Sequence, residues 1–147
     1  MKLSFEDTEI IRSFEGLSLV SYICPAGVYT CGFGCTGPDI VEGTVWTEEY
    51  CRERFMEEIN RLCDKLEKAL PSNISKNKFI AIVSLTYNIG LPSFLASTML
   101  KKLKLADWGG AAEEILRWDK ITVSGKKIMS KGLHSRRKLE QKLFLTP

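Results

Sequence analysis

The order of apolar and polar positions changes period several times along the chain, and each change predicts an element. Ile10, Ile11 and Phe14 form a short stripe at helical spacing, with Ser4 or Asp7 as N-cap and Gly16 as C-cap. Tyr22 and Ile23 then read as a short strand, Pro25-Ala26-Gly27 as a turn, and Val28 to Phe33 as the returning strand. Thr47 is an N-cap followed by Glu48 and Glu49, which suit the positive end of a helix dipole. From there Cys51, Phe55, Ile59, Leu62, Leu66 and Leu70 recur every three or four positions until Pro71 stops the run. This predicts one long amphipathic helix joining two lobes.

Ser75 opens the next helix, and Phe79 to Ile89 is apolar on nearly every side, the pattern of a helix buried within a bundle. Gly90 ends it. Pro92 to Leu105 and Asp107 to Trp118 predict two shorter helices, with Trp118 placed in the core. Lys120 to Lys131 reads as an irregular or hairpin segment around Ser124-Gly125. A last helix runs from Gly132 to about Phe144, its Leu133, Leu139, Leu143 and Phe144 closing the core. The predicted fold class is α+β, mostly helical. It comprises a small N-terminal sheet lobe (residues 15–46), a bridging helix (47–70) and a helical lobe (71–147, with the N-terminal helix). Together they make one two-lobed domain around a cleft, where ligand sites commonly form.

Composition narrows the class. At 147 residues, 44% hydrophobic and 27% charged, the chain matches an ordinary soluble domain that needs no metal or disulfide to build its core. No N-terminal run is apolar enough for a signal peptide or a membrane span, so the protein is expected to stay where it is made. The net charge of +3 is uneven: Arg117 to Lys142 carries nine basic residues against Asp119 and Glu140. Such an end favours a polyanion, nucleic acid or an anionic cell wall, or is simply a solvated helix face. No nucleic-acid-binding motif accompanies it, and no nucleic-acid partner is expected.

Five cysteines, an odd number, without a secretory signal point to reduced thiols in a cytoplasm. No Cys-x-x-Cys occurs and His134 is the only histidine, so neither metal nor cofactor is expected. A Cys24–His134 protease pair has nothing else to support it. Cys51 and Cys63 fall on an apolar helix side as small core residues, whereas Cys24, Cys31 and Cys35 are near enough in sequence to cross-link if oxidised.

The densest chemistry lies in residues 14–37. Glu15 ends a helix beside its buried face, where partial shielding raises a carboxyl pKa and suits it to deliver a proton. Taken alone it is also the ordinary solvated glutamate of a helix end. The hairpin places Cys24 near the turn and Thr30 on the second strand, so both can face that helix end, and Gly32 and Gly34 leave room for a ligand's close approach. Farther on, Asn88 is the strongly polar side chain near the end of the buried helix, there to satisfy backbone groups or to reach a ligand.

The phrase Phe14-Glu15-Gly16, with Tyr22, Cys24, Gly27, Thr30, Gly32 and Gly34 at their offsets, resembles the phage-type lysozymes (endolysins) of glycoside hydrolase family 24. The likeness continues through Phe79 to Gly90, Ser97-Thr98 with Leu100, Arg117-Trp118, and Gly132-Leu133 with Arg136, Arg137 and Glu140. It therefore spans about the whole chain. Two positions depart from the common pattern: Cys24 stands where most members carry aspartate, as in one branch of the family, and Cys35 where many carry histidine.

The resemblance implies a lysozyme-like fold and a muramidase that cuts the β-1,4 link between N-acetylmuramic acid and N-acetylglucosamine in peptidoglycan. Glu15 is then the general acid, Cys24 takes the aspartate's place as base, nucleophile or redox switch, and Thr30 positions water or steadies Cys24. Phe33, Asn88, Arg136 and Arg137 are the implied substrate-side residues, one of the two arginines neighbouring the acid. The resemblance also implies a monomer kept in the host cytoplasm without stable membrane insertion, released to the wall by a holin, and silenced when Cys24 is captured in a disulfide with Cys31 or Cys35. Two other classes fit parts of the pattern: a lysozyme-like domain that binds glycan without cutting it, and a polyanion binder acting through the basic end.

Overall fold

Ser4 and Asp7 cap each other at the start of the chain: the Ser4 N–H donates to Asp7 Oδ2 at 2.9 Å and the Asp7 N–H to Ser4 Oγ at 3.2 Å. The exchange satisfies donors that a helix start leaves open. A 3-10 turn (Glu6–Thr8) follows and runs into α1 (Glu9–Glu15). Gly16 stops α1 at φ 70°, a left-handed value that a side chain resists, while its N–H still donates to the Arg12 carbonyl. The computed structural model describes residues 1–147 and divides into two compact units, residues 2–61 and residues 62–147 with Met1.

In the first unit, β1 (Ser18–Ile23) and β2 (Tyr29–Gly32) form the antiparallel hairpin, with Tyr22 opposite Thr30 and Ser18 opposite Gly32. A third segment joins the free edge of β1. The Ser21 N–H donates to the Thr44 carbonyl and the Trp46 N–H to the Leu19 carbonyl, each at 2.8 Å. The intervening loop is pinned to α2 (Glu48–Ala69) by Arg54, which reaches Asp39 at 2.5 and 3.1 Å and the Thr36 carbonyl at 3.3 Å. Ile11, Phe33, Cys51, Phe55 and Ile59 are buried beneath these elements. A fully buried side chain of this size stabilises by about 1.5–3 kcal/mol, which is what the apolar periodicity of α2 supplies. The first helix falls within this unit.

The second unit is built on α3 (Lys76–Ile89). Ser75 caps it by accepting from the Lys78 N–H, and Phe79 to Thr86 are buried without interruption. Around it lie α4 (Leu91–Leu95), α5 (Thr98–Lys104), α6 (Trp108–Ile115) and α7 (Lys131–Leu145), with the hairpin β3 (Lys120–Val123) and β4 (Lys126–Met129) before α7. The helix expected over 92–105 is split in two because Ser97 takes an extended backbone. Its oxygen then accepts from the Leu100 N–H at 3.1 Å, starting a new helix. The hairpin turns through Ser124 at φ 50° and Gly125 at φ 79°, the two positive angles of a tight two-residue connection.

Helix α7 lies along α3, but not on the face expected. Leu139 is 51% exposed, whereas Arg136, Arg137, Glu140 and Phe144 are buried. Positions 137, 140 and 144 follow one another at three and four residues, so they share the inward face, and Leu139 falls outside it.

Candidate active site

On a strand, side chains alternate between faces, and directly paired residues share one. Tyr22 is paired with Thr30, so the Tyr22, Cys24 and Thr30 side chains stand together while Cys31 points the other way. Cys24 is held where β1 enters the turn. Its N–H donates to the Val28 carbonyl at 3.0 Å and its carbonyl accepts from the Gly27 N–H at 2.8 Å, with Gly27 at φ 79°. Thr30 is buried and its hydroxyl donates to the Val28 carbonyl at 3.1 Å.

This setting favours the thiolate. Hydrogen bonds from the Val28 backbone N–H, then from the Thr30 hydroxyl and the Ala26 N–H, hold the Cys24 thiol below its ordinary range, and only weak desolvation opposes them. Tyr22 reports on its neighbours. Burial pushes its phenol up, and the negative charges of Glu15 and Cys24 add to the effect.

Glu15 is half-buried at the end of α1 and lies against Gly34. A Cβ at position 34 would come within 2.5 Å of Glu15 Oε2, so the space this glycine leaves is taken by the acid and not by a ligand. Gly32 is similar: a Cβ there would meet the Trp46 ring at 3.2 Å. Phe33 is buried, with its ring centroid 6.2 Å from Phe5 and 5.3 Å from Phe55. Its ring packs within that aromatic cluster.

In the helical unit, Arg137 is fully buried. Its Nε donates to the Trp118 carbonyl at 2.8 Å, one terminal nitrogen to Glu140 Oε1 at 2.5 Å, and the other to Asn88 Oδ1. Glu140 Oε2 also accepts from Ser84 Oγ at 2.5 Å and from Arg136 Nε at 3.2 Å, and Arg136 donates to the Ser84 carbonyl at 3.1 Å. Burial pulls the Arg137 guanidinium below its usual range; Glu140 opposes that and Arg136 adds to it. Within the helical unit both guanidinium groups thus share the Glu140 carboxylate, and Arg137 also holds Trp118 and Asn88.

A donor on Asn88 Oδ1 settles the orientation of its amide and leaves the NH₂ group free to donate elsewhere. Asn88 lines a cavity of about 730 Å³ together with Trp118, Glu114, Arg117, Lys120 and Lys127. Trp118, expected in the core, is half-buried in that wall. Buried Glu114 is paired with Lys102 and Arg117, each at 3.2 Å. Sequence reasoning did not name Trp118, Glu114, Lys120 or Lys127 as site residues; the excess of positive charge after Arg117 was the signal that pointed there.

Known proteins share this arrangement of elements. An endolysin from Acyrthosiphon pisum secondary endosymbiont phage 1 is 37% identical over 144 residues, covering 98% of each chain. An endolysin from Escherichia coli O157:H7 phage FAHEc1 superposes with a TM-score of 0.90 at 34% identity, over 99% of this chain and 94% of that one. The muramidase domain of SpmX from Asticaccaulis excentricus gives 0.91 at 29% identity, over 99% of both. Residues 12–140 match the phage lysozyme family, a span that holds the acid, the thiol, the hydroxyl and the buried arginines alike. The chain belongs to the phage lysozyme family.

Proposed function

We propose that the protein is an endolysin that hydrolyses the β-1,4 bond between N-acetylmuramic acid and N-acetylglucosamine in peptidoglycan and so lyses the host cell, and that Glu15, Cys24 and Thr30 carry the reaction. Cleavage needs a proton on the departing oxygen and help for the positive anomeric carbon or its attacking water. Glu15 supplies the proton. Cys24, as thiolate, assists on the sugar side, where the family commonly has an aspartate.

The observation that carries this reading is the placement of Cys24 at the hairpin turn, on the face that holds Tyr22 and Thr30. A thiol with an ordinary pKa near about 8.5 is ionised only to a few per cent at neutral pH, a poor substitute for a carboxylate. Its setting at the turn, with the Val28 backbone first and Thr30 next, lowers the thiol pKa and reduces that deficit. The Thr30 hydroxyl has one proton to give: it serves the Val28 carbonyl beside the neutral thiol and turns to the sulfur when the proton leaves. Arg137 acts at one remove, holding Asn88 so that its NH₂ group can donate to the hydroxyls and carbonyls of a glycan strand. Passage to the wall through a holin-made opening belongs to the same proposal. No helix is long and apolar enough to cross a membrane.

Digestion of purified peptidoglycan under reducing conditions, with mass analysis of the fragments, tests the function. New ends at N-acetylmuramic acid support it. An intact wall that nevertheless retains the protein would reveal a glycan-binding domain instead. Cys24→Asp should keep cutting, and its failure to do so would remove the thiol from the carboxylate's role.

A further inference from the structure

The hairpin of β3 and β4 has two unlike faces. Ile121 is paired with Ile128, Val123 with Lys126, Thr122 with Lys127 and Lys120 with Met129. Paired residues share a face and successive ones alternate, so Ile121, Ile128, Val123 and Lys126 form one side, and Lys120, Thr122, Lys127 and Met129 the other. Lys120, Thr122 and Lys127 line the cavity. The first side is therefore turned outward, with Ile121 44%, Val123 45% and Ile128 47% exposed.

The hairpin is anchored only at its base. The Ser130 N–H donates to the Asp119 carbonyl at 2.8 Å, and the buried Asp119 carboxylate is held by Lys120 at 3.0 Å and His134 at 2.9 Å. Every strand residue beyond that clamp is exposed. Between Asp119 and Glu140 the chain has no acidic residue; Lys126 shares the outer face with the apolar side chains and Lys131 follows the hairpin, while Lys120 and Lys127 face the cavity.

We infer that the outer face of this hairpin docks on an anionic phospholipid surface. Lys126 and Lys131, outside every ion pair, match lipid phosphates, and three β-branched side chains on the face of Lys126 match the acyl boundary beneath. An anionic wall polymer would satisfy the lysines equally well but gives the isoleucines nothing to enter, so the apolar side chains favour the bilayer. The surface is distinct from Glu15, Cys24 and Thr30, and the inference stands or falls independently of wall hydrolysis.

Co-sedimentation of the full chain with phosphatidylglycerol–phosphatidylcholine vesicles and with pure phosphatidylcholine vesicles tests it, with thermal unfolding as the check on each variant. Retention on the anionic vesicles alone, weakened by salt, is expected. Ile121→Ser with Ile128→Ser should lower partitioning about tenfold, and Lys126→Gln about fivefold, while both variants digest detached peptidoglycan like wild type. Equal retention on both vesicle types, or none on either, would overturn the inference. So would undiminished binding by the folded double serine variant, which would assign the face to a polyanion recognised by charge alone.

Discussion

The Glu15 carboxylate lies so close against Gly34 that a methyl group at position 34 would stand 2.5 Å from Oε2 and 3.2 Å from the carboxyl carbon. The absent side chain fixes where the acid can rest. Gly34→Ala therefore displaces Glu15 and also strains a backbone at φ 76°, at a cost of about 1 kcal/mol. Gly43→Ala is the control, since that glycine has φ 79° and nothing within 4 Å of a new Cβ. Wall hydrolysis should fall at least about tenfold in the first variant and hold in the second, because misplacing a reacting group by about 1 Å costs far more than backbone strain. Equal rates would show that the contact does not position the acid.

Cys24 should be the thiol that iodoacetamide labels in the native protein. Cys31, Cys35 and Cys51 are fully buried, and burial pushes Cys63 up to about 11. Labelling follows the thiolate, so its rate climbs as pH rises through the pKa, and the lowered value sets that climb below the ordinary thiol range near about 8.5. Thr30→Val removes a donor to the sulfur and should move the climb to higher pH. Because Cys31 faces away from Thr30 and Cys24, oxidised native protein should contain no Cys24–Cys31 bridge unless the hairpin opens. Peptide mass mapping across a pH series checks each point.

Glu140→Gln should destabilise the fold sharply. The carboxylate is fully buried and accepts from Arg137, Arg136 and Ser84, so neutralising it removes a negative charge that two interior guanidinium groups bond. Breaking a buried ion pair from one side costs about 3–5 kcal/mol, roughly 10 °C or more in Tm for a chain of this size. Glu113→Gln, at an exposed position of α6, should change stability by less than about 0.5 kcal/mol. Calorimetry of the pair compares a buried charge with a solvated one.

Asp119 predicts part of the acid response. Lys120, then His134, hold its carboxyl below the usual range. A carboxyl lowered by folding adds stability that is complete above its unfolded value near about 3.9 and disappears as pH falls through the folded value. The Tm difference between wild type and Asp119→Asn should accordingly be largest near neutrality and shrink below about pH 4. A difference that stayed constant down to acid pH would remove the carboxylate from the hairpin's anchor.

The helix that stops after Glu15 and the hairpin that carries Cys24 and Thr30 were legible because a glycine stop and a two-strand register are set by residues near one another in the chain. The interior of α7 was not. Arg136, Arg137 and Glu140 look like surface charges until Ser84 and Asn88, 56 residues from Glu140 and 49 from Arg137, supply the bonds that permit burial. The split at Ser97 was equally hidden, since a serine reads as a cap only when its backbone is known to be extended. Trp118 passed for a core residue because periodicity tells which face is apolar and not whether a cavity opens against it.

The central claim is that Glu15 delivers the proton, and the rate at which purified peptidoglycan gains reducing ends tests it most directly. Measured with reductant present, Glu15→Gln should be at least about a hundredfold slower than wild type, the usual scale of general acid catalysis, while unfolding at the same temperature. A folded Glu15→Gln protein that opens the glycan at close to the wild-type rate would contradict the account.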